Sequence, residues 1–302
     1  MTQTVLLAGA TGMLGSRIAY YLLDQPNARL RLLVRGGNAQ KRATLDPLLA
    51  RGAELIEGDL ADRASLDRAT HGVDVIVSAV QGGPDVIVDG QLALADIGRR
   101  NGVRRILPSD FALDLFKATP GEHMMFDLRR TADEAIAATG IEHVHVLQGA
   151  FMEMFGPGMG TLDYDAGTVA FWGDGTQPIH TTSVEDTARM VARIALDRTI
   201  GTGKLAIAGD HLSILDATAV VEAQTGRRFD RRSNGSESDL RAAMAGAAKD
   251  MSNPFKAVML AYQLTMLTGQ TALSGVQTDR YPGLKLESFA QFAARALPHR
   301  AA

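Results

Sequence analysis

The sequence has no cysteine in 302 residues, which removes disulfide scaffolds, thiolate metal sites and cysteine nucleophiles together. It also lacks a long apolar run. Nothing approaches the ~20 residues of a membrane-spanning helix. The nearest stretch, Phe255 to Leu267, carries Lys256, Gln263 and Thr265 and reads as a buried amphipathic helix. Charge of one sign is missing too. The formal net charge is −3, so nothing calls for nucleic acid or an anionic membrane as partner. No G-x-S-x-G elbow and no H-E-x-x-H run occurs. The chain enters a strand-like run, Gln3 to Ala8, with no basic leader before it, and a cytoplasmic location is the default expectation. With 46% hydrophobic and 22% charged residues, the chain can build a packed core. Its length allows one large α/β domain, or a domain with a smaller lobe.

The first half alternates short apolar runs with helical stretches. Strands are expected at Thr4–Ala8, Leu30–Arg35, Ala53–Glu57, Val73–Ala79, Val103–Leu107 and His143–Leu147. Helices are expected at Met13–Asp24, Ala39–Ala50, Ala64–Thr70, Val86–Arg100 and Met124–Ala138. This alternation predicts a Rossmann-type, doubly wound parallel sheet covered on both faces. The second half differs. Phe151 to Gln177 is rich in Gly, Asp and Met and reads as loop, a helix starts at Ser183, and another runs from Ser213 to Gly226. Two more helical stretches follow, at Glu237–Lys249 and Phe255–Leu267.

The strongest motif is Gly9-Ala10-Thr11-Gly12-Met13-Leu14-Gly15, directly after a strand and opening a helix. Its first glycine permits the tight turn, and Gly12 lets the backbone approach a pyrophosphate. Gly15 lets helix and strand pack, and the helix N-terminus offers N–H groups to the anion. An acid ending the second strand would select NAD through the ribose hydroxyls. Here that place holds Arg35, followed by Gly36, Gly37, Lys41 and Arg42, which suits a 2′-phosphate and predicts NADP(H). Asp59, with Leu60 beside it, is placed to meet the adenine amino group or to cap the next helix. Ser78, Ala79, Val80 and Gln81 end the fourth strand with mostly small residues, leaving room for the cofactor at the sheet's carboxyl edge.

Gly9–Gly15, Val34-Arg35, Gly58-Asp59-Leu60, Val103–Phe111 and Tyr281–Lys285 together resemble the NmrA-like and isoflavone-reductase-like group of atypical short-chain dehydrogenases. That group includes phenylcoumaran benzylic ether and pinoresinol reductases. The resemblance implies an NADP-binding domain over 1–155, rejoined around 181–208, and a smaller C-terminal substrate-binding lobe over 156–302. It implies that Ser109, Phe111 and Phe151 also line the cofactor, and that Phe111, Phe151, Met152, Met154 and Phe155 form the wall of an aromatic-substrate pocket. The reductases resembled carry a lysine near the nicotinamide. Aligning Phe126-Asp127-Leu128 and Gly140-Ile141 puts Arg129 there. Arginine orients and polarises an oxygen but does not readily donate a proton. His123 and Lys117 are the titratable substitutes nearby, although each also fits a solvated loop residue. Arg129 itself fits a surface position paired with Asp133.

Several patterns are set aside. Tyr281 and Lys285 match a Tyr-x-x-x-Lys pair, but Pro282-Gly283 breaks the helix the pair needs. His143 and His145 share one side of a strand with no third ligand at a telling spacing, so buried or cleft-wall histidines are expected there and no metal. Asp163-Tyr164-Asp165 starts like a calcium loop, but the twelfth position is Asp174. The paired arginines, Arg104-Arg105 among them, read as solvated surface. Two functions remain open: an NADPH-dependent reductase of a small aromatic molecule, monomeric or homodimeric, or an NADP(H)-binding redox sensor without turnover.

Overall fold

The computed structural model describes residues 2–36, 39–250 and 253–297. It divides into two compact units. The first comprises Met1–Phe111, Leu128–Val146 and Val184–Leu205, and the second Ala112–Asp127, Leu147–Ser183 and Ala206–Ala302.

The first unit is built on β1 (Gln3–Ala8), β2 (Ala28–Val34), β3 (Glu54–Glu57), β4 (Val75–Ser78), β5 (Arg105–Leu107), β6 (Glu142–Leu147) and a last strand, Gly203–Ala206. Their spatial order is last strand, β6, β5, β4, β1, β2, β3. The pairs among β1 to β6 are parallel. The His143 N–H donates to Thr202 Oγ1 and the Ile207 N–H to Leu147 O, so the last strand runs with β6. This is the doubly wound sheet that the alternating pattern predicts. β1 pairs with both β2 and β4, the reversal of strand order beside which open α/β sheets bind ligands. The β4 run Val-Ile-Val-Ser is fully buried, as expected of a strand covered on both faces. Helices α1 (Met13–Leu23), α2 (Ala39–Ala50), α3 (Arg63–Thr70), α4 (Gln91–Arg100), α5 (Met124–Ala138) and α6 (Val184–Leu196) complete the architecture. Leu6, Leu33, Leu66, Ile76, Leu94, Ile106 and Ile136 form one core.

Two expectations for this unit need correction. The stretch 86–100 is not one α-helix, because a wide π-type turn, Asp85–Gly90, precedes α4. Arg105 is not solvated either. It is fully buried, pairs with Glu142, and donates to the carbonyls of Ile194 in the last turn of α6 and of Asp197 and Ile200 just after it. The guanidinium fork thus supplies donors to carbonyls at and just past the end of α6, where the regular helical pattern runs out.

The second unit has two small sheets. β7 (Ala150–Phe151) and Asp210–Leu212 flank β10 (Ile179–Thr182), while β8 (Leu162–Asp163) and Asp230–Ser233 flank β9 (Thr168–Phe171). The stretch 151–177 is therefore not simply loop. Strands of two and four residues are too short to show a period, and the partner of β9 lies far along the chain. The Asp163 carboxylate closes the β8–β9 turn by accepting from the N–H groups of Asp165 and Ala166. Helix α7 (Ile214–Thr225) begins with a Ser213–Asp216 capping box and ends at Gly226, φ +69°, as its sequence predicts. Helices α8 (Glu237–Ala247), α9 (Pro254–Thr268) and α10 (Phe289–Ala296) follow. Residues 281–288 are not helical, which leaves Tyr281 and Lys285 without a shared helix face. Among the described residues no helix is long and apolar enough to cross a membrane.

Candidate functional site

The β1–α1 turn separates the three glycines by what each tolerates. A Cβ on Gly9, at φ +90°, would lie 2.2 Å from Ala79 O, and one on Gly15 would lie 2.1 Å from Gly9 O. Both overlaps involve backbone, so these glycines are required by the fold itself. Gly12 differs, since a Cβ there meets only Gly9 O, at 3.4 Å. Its φ of −82° and ψ of 168° suit any residue. Gly12 is the N-cap of α1, no side chain caps it, and no acid occupies the first turn. The first-turn N–H groups of Met13, Leu14 and Gly15 are donors of the kind that an anion at a helix start can use. Thr11, Gly12 and Met13 are at least partly exposed there.

A cavity of about 560 Å³ is lined by Arg35, Gly36, Glu57, Gly58, Asp59, Asp62, Ser65 and Arg68, at the ends of β2 and β3 and along α3. Arg35 and Asp59 thus line one cavity. Asp59 Oδ1 accepts from the Ala61 N–H, whereas the N-cap of α3 is Asp62. Arg68 is an addition that the sequence reading missed. Its only signal was a basic residue in the last turn of the helix after Gly58-Asp59-Leu60. Gly37 and the side chains of Lys41 and Arg42 lie outside the described residues.

At the carboxyl ends of β4 and β5 the chain is tied by hydrogen bonds. The Ser109 N–H donates to Gln91 Oε1 at 2.9 Å, Ser109 Oγ donates to Val80 O at 2.8 Å, and Arg129 Nε donates to Ser109 O at 2.9 Å. Ser78 Oγ is buried there with no hydrogen-bond partner, while Ala79 and Val80 are partly exposed and Gln81 is exposed. Leu60 and Val80 pack on the core beneath, and Phe111 is half-buried. Arg129 is not a surface residue, because only 5% of it is exposed. One turn further along α5 lies Asp133, buried close to Asp110 and His145. Burial and the neighbouring Asp110 hold the Asp133 carboxyl far above the usual carboxylate range, although Arg129 pulls it down. Sequence spacing could not reveal this cluster, since Asp110 lies 35 residues from His145.

The remaining predicted site residues belong to the second unit. His123 is fully buried rather than solvated. Its ring stacks on Phe126 at 3.8 Å and meets the Tyr262 ring edge-on at 4.2 Å. Lys117 is exposed, and its Nζ donates to Ala272 O at 2.5 Å. Lys117 also lies within electrostatic reach of His180. Burial first, then His211 and Lys117, depress that imidazole to about 4. His180 stacks on His211 across two strands, at 4.0 Å between ring centroids. Of the expected pocket wall, Met152 and Phe155 are taken up by a core with Val169, Phe229, Phe289 and Phe292. Phe151 and Met154 remain half-buried.

A model of the NmrA-like family matches residues 1–273. The chain belongs to the NmrA-like family. Pinoresinol reductase 2 of Arabidopsis thaliana is 32% identical over 212 residues, an alignment spanning 64% of this chain and 64% of that relative. Phenylcoumaran benzylic ether reductase IRL1 of Ginkgo biloba is 27% identical over 236 residues, covering 75% of this chain and 76% of its own. The solved structure of AtPrR2 with NADP+ and (+)-pinoresinol matches with a TM-score of 0.84 at 26% identity, covering 97% of this chain and 98% of that one. A binary complex of leucoanthocyanidin reductase with NADPH from Vitis vinifera, 22% identical with a TM-score of 0.83 over 96% of this chain and 98% of its own, shares the NmrA-like fold.

Proposed function

We propose that this NmrA-like chain is an NADPH-dependent reductase that transfers hydride to a small aromatic molecule, such as a benzylic ether, a lignan-like compound, a ketone or a quinone. The observation that carries it is the Gly9–Gly15 turn, whose uncapped helix start lies open above Gly12. The relation to pinoresinol and benzylic ether reductases supports the substrate class. Gly12 and the first turn of α1 hold the pyrophosphate, Arg35 meets the 2′-phosphate, and Asp59 faces the adenine. Ser78 to Gln81, Ser109 and Phe111 line the nicotinamide side. Bound NADPH supplies the hydride. Arg129, fixed by Ser109 O, steadies negative charge on the substrate oxygen as hydride arrives. Phe111 offers an apolar contact to the substrate.

Arginine at the lysine position favours one second reading, a sensor that binds NADP(H) and turns nothing over. Calorimetry with NADPH, followed by nicotinamide absorbance in the presence of aromatic ketones, quinones and benzylic ethers, separates the two. Oxidation by any class supports the reductase. Tight binding with no oxidation supports the sensor, and absence of binding overturns both.

A further inference from the structure

Asp110, Asp133 and His145 have no part in the chemistry above, yet they are only 0%, 4% and 5% exposed. The His145 Nδ1–H donates to Asp110 Oδ2 at 2.7 Å, and the same nitrogen lies 3.6 Å from Asp133 Oδ1. Written as two carboxylates, the cluster fails. Asp110 Oδ1 and both oxygens of Asp133 are buried without a hydrogen-bond partner, and two adjacent anions repel in a medium that solvates neither. One proton on Asp133 removes the repulsion and makes that carboxyl a donor toward Asp110, since atoms of the three side chains lie within 4.8 Å of one another.

The placement of that proton matters. Asp133 stands one helical turn beyond Arg129 on α5, and Asp110 follows Ser109, whose carbonyl accepts from Arg129 Nε. The helix is therefore pinned to the edge of the sheet at two points one turn apart. We propose that Asp133, kept as a neutral carboxylic acid between Asp110 and His145, is a positioning residue that holds α5 and the Ser109–Asp110 segment in the register that sets Arg129. Its catalytic consequence rests on the reductase reading, whereas the proton and the register do not.

The charged and titratable neighbours are Arg129 and Glu134 on α5, Asp110 after β5, and His145 on β6, with the His143 ring 5.2 Å beyond it. Arg129 opposes the proton, while burial, Asp110 and Glu134 favour it. The lock therefore holds at neutral pH and opens on the alkaline side.

Three readouts test this on the full chain carrying NADPH. The infrared difference between wild type and Asp133→Asn at pH 8 should contain a protonated-carboxyl carbonyl band. The Arg129 Nε–H signal in 15N spectra should be protected from exchange in the wild type and in Asp133→Asn, and lost in Asp133→Ala. If a substrate is turned over, Asp133→Ala should lose about tenfold or more in kcat with little change in NADPH affinity. Asp133→Asn, which supplies a donor without titrating, should restore most of that loss and remove the alkaline limb of the profile. A missing infrared band overturns the proposal, as does an Arg129 signal indifferent to Asp133→Ala. A stoichiometric divalent cation retained by wild type and released by Asp133→Asn also overturns it, since a metal would then hold the cluster. If nothing is turned over, the reductase reading fails alone, and the first two readouts still decide the lock.

Discussion

Gly12→Val separates the fold from the cofactor, because Gly12 is the one motif glycine whose side-chain position is open. A Cβ there has only an ordinary contact with Gly9 O at 3.4 Å, and its backbone angles suit a β-branched residue. The loss of stability should stay near 0.5–1 kcal/mol, roughly what a weaker N-cap costs. Binding should suffer far more, since the added methyl groups occupy the space in which a phosphate would approach the first-turn N–H groups. Ligand at about 100 times its Kd stabilises a folded chain by about 2.7 kcal/mol. At about 2–4 °C per kcal/mol, the wild type should gain roughly 5–10 °C in Tm with NADPH. Gly12→Val should gain essentially nothing while keeping its far-UV spectrum. Gly15→Ala is the contrasting control, because its Cβ would fall 2.1 Å from Gly9 O and the fold itself should fail. Full NADPH stabilisation of Gly12→Val, or a native Gly15→Ala, would refute the placement of the phosphate site.

Arg35→Ala should weaken NADPH by at least tenfold, on the order of 1–3 kcal/mol for a charge-assisted phosphate contact, with NADH unchanged. Arg68→Gln should weaken NADPH in the same direction if the shared cavity receives the 2′-phosphate, and calorimetry with both nucleotides checks the pair. Asp133 binds its proton more tightly folded than unfolded, so its contribution to stability is greatest below about pH 4. That contribution drains by up to about 1.4 kcal/mol per pH unit as pH rises toward the elevated folded value. The Tm of Asp133→Asn should therefore overtake that of the wild type as pH rises, and parallel Tm curves would contradict a raised Asp133. Arg129→Met keeps most of the bulk and deletes the charge. It should lower kcat about 10²–10³-fold with NADPH affinity nearly unchanged, and full activity would pass the role to His123, Lys117 or water.

What the sequence disclosed follows from how local each determinant is. The alternation of six strands with five helices was legible because central strands covered on both faces, such as β1 and β4, are apolar runs, and because the glycine turn directly follows one. The Ser213–Asp216 box and Gly226 are local signals too, and they bound α7 where expected. The β8–β9 hairpin was not legible, since strands of two and four residues carry no period and lean on Asp230–Ser233 far downstream. Arg105 was misjudged because composition cannot tell an exposed guanidinium from one whose fork is filled by helix-end carbonyls. His145 is buried, as its place on the strand suggests, but its partner was not legible, because the parallel sheet supplied Asp110 from the neighbouring strand's end.

In the proposed reductase, arginine at the place where the resembled reductases carry a lysine changes what the rest of the site must provide. A lysine can both steady an oxyanion and hand over a proton, and its flexible stem lets it find the position. A guanidinium provides a planar fork whose worth depends on being held in place before the reaction begins. Arg129 is held in that way: its Nε is engaged by Ser109 O, and Ser109 is in turn fixed by Gln91 and Val80. Sub-ångström drift of α5 would weaken that geometry, and a buried acid one turn away resists such drift without adding a net charge. Solvated carboxylates could not do so, because they would repel each other and relax toward water. The burial of Asp110, Asp133 and His145 is thus the physical condition under which one proton can stiffen the helix that carries Arg129.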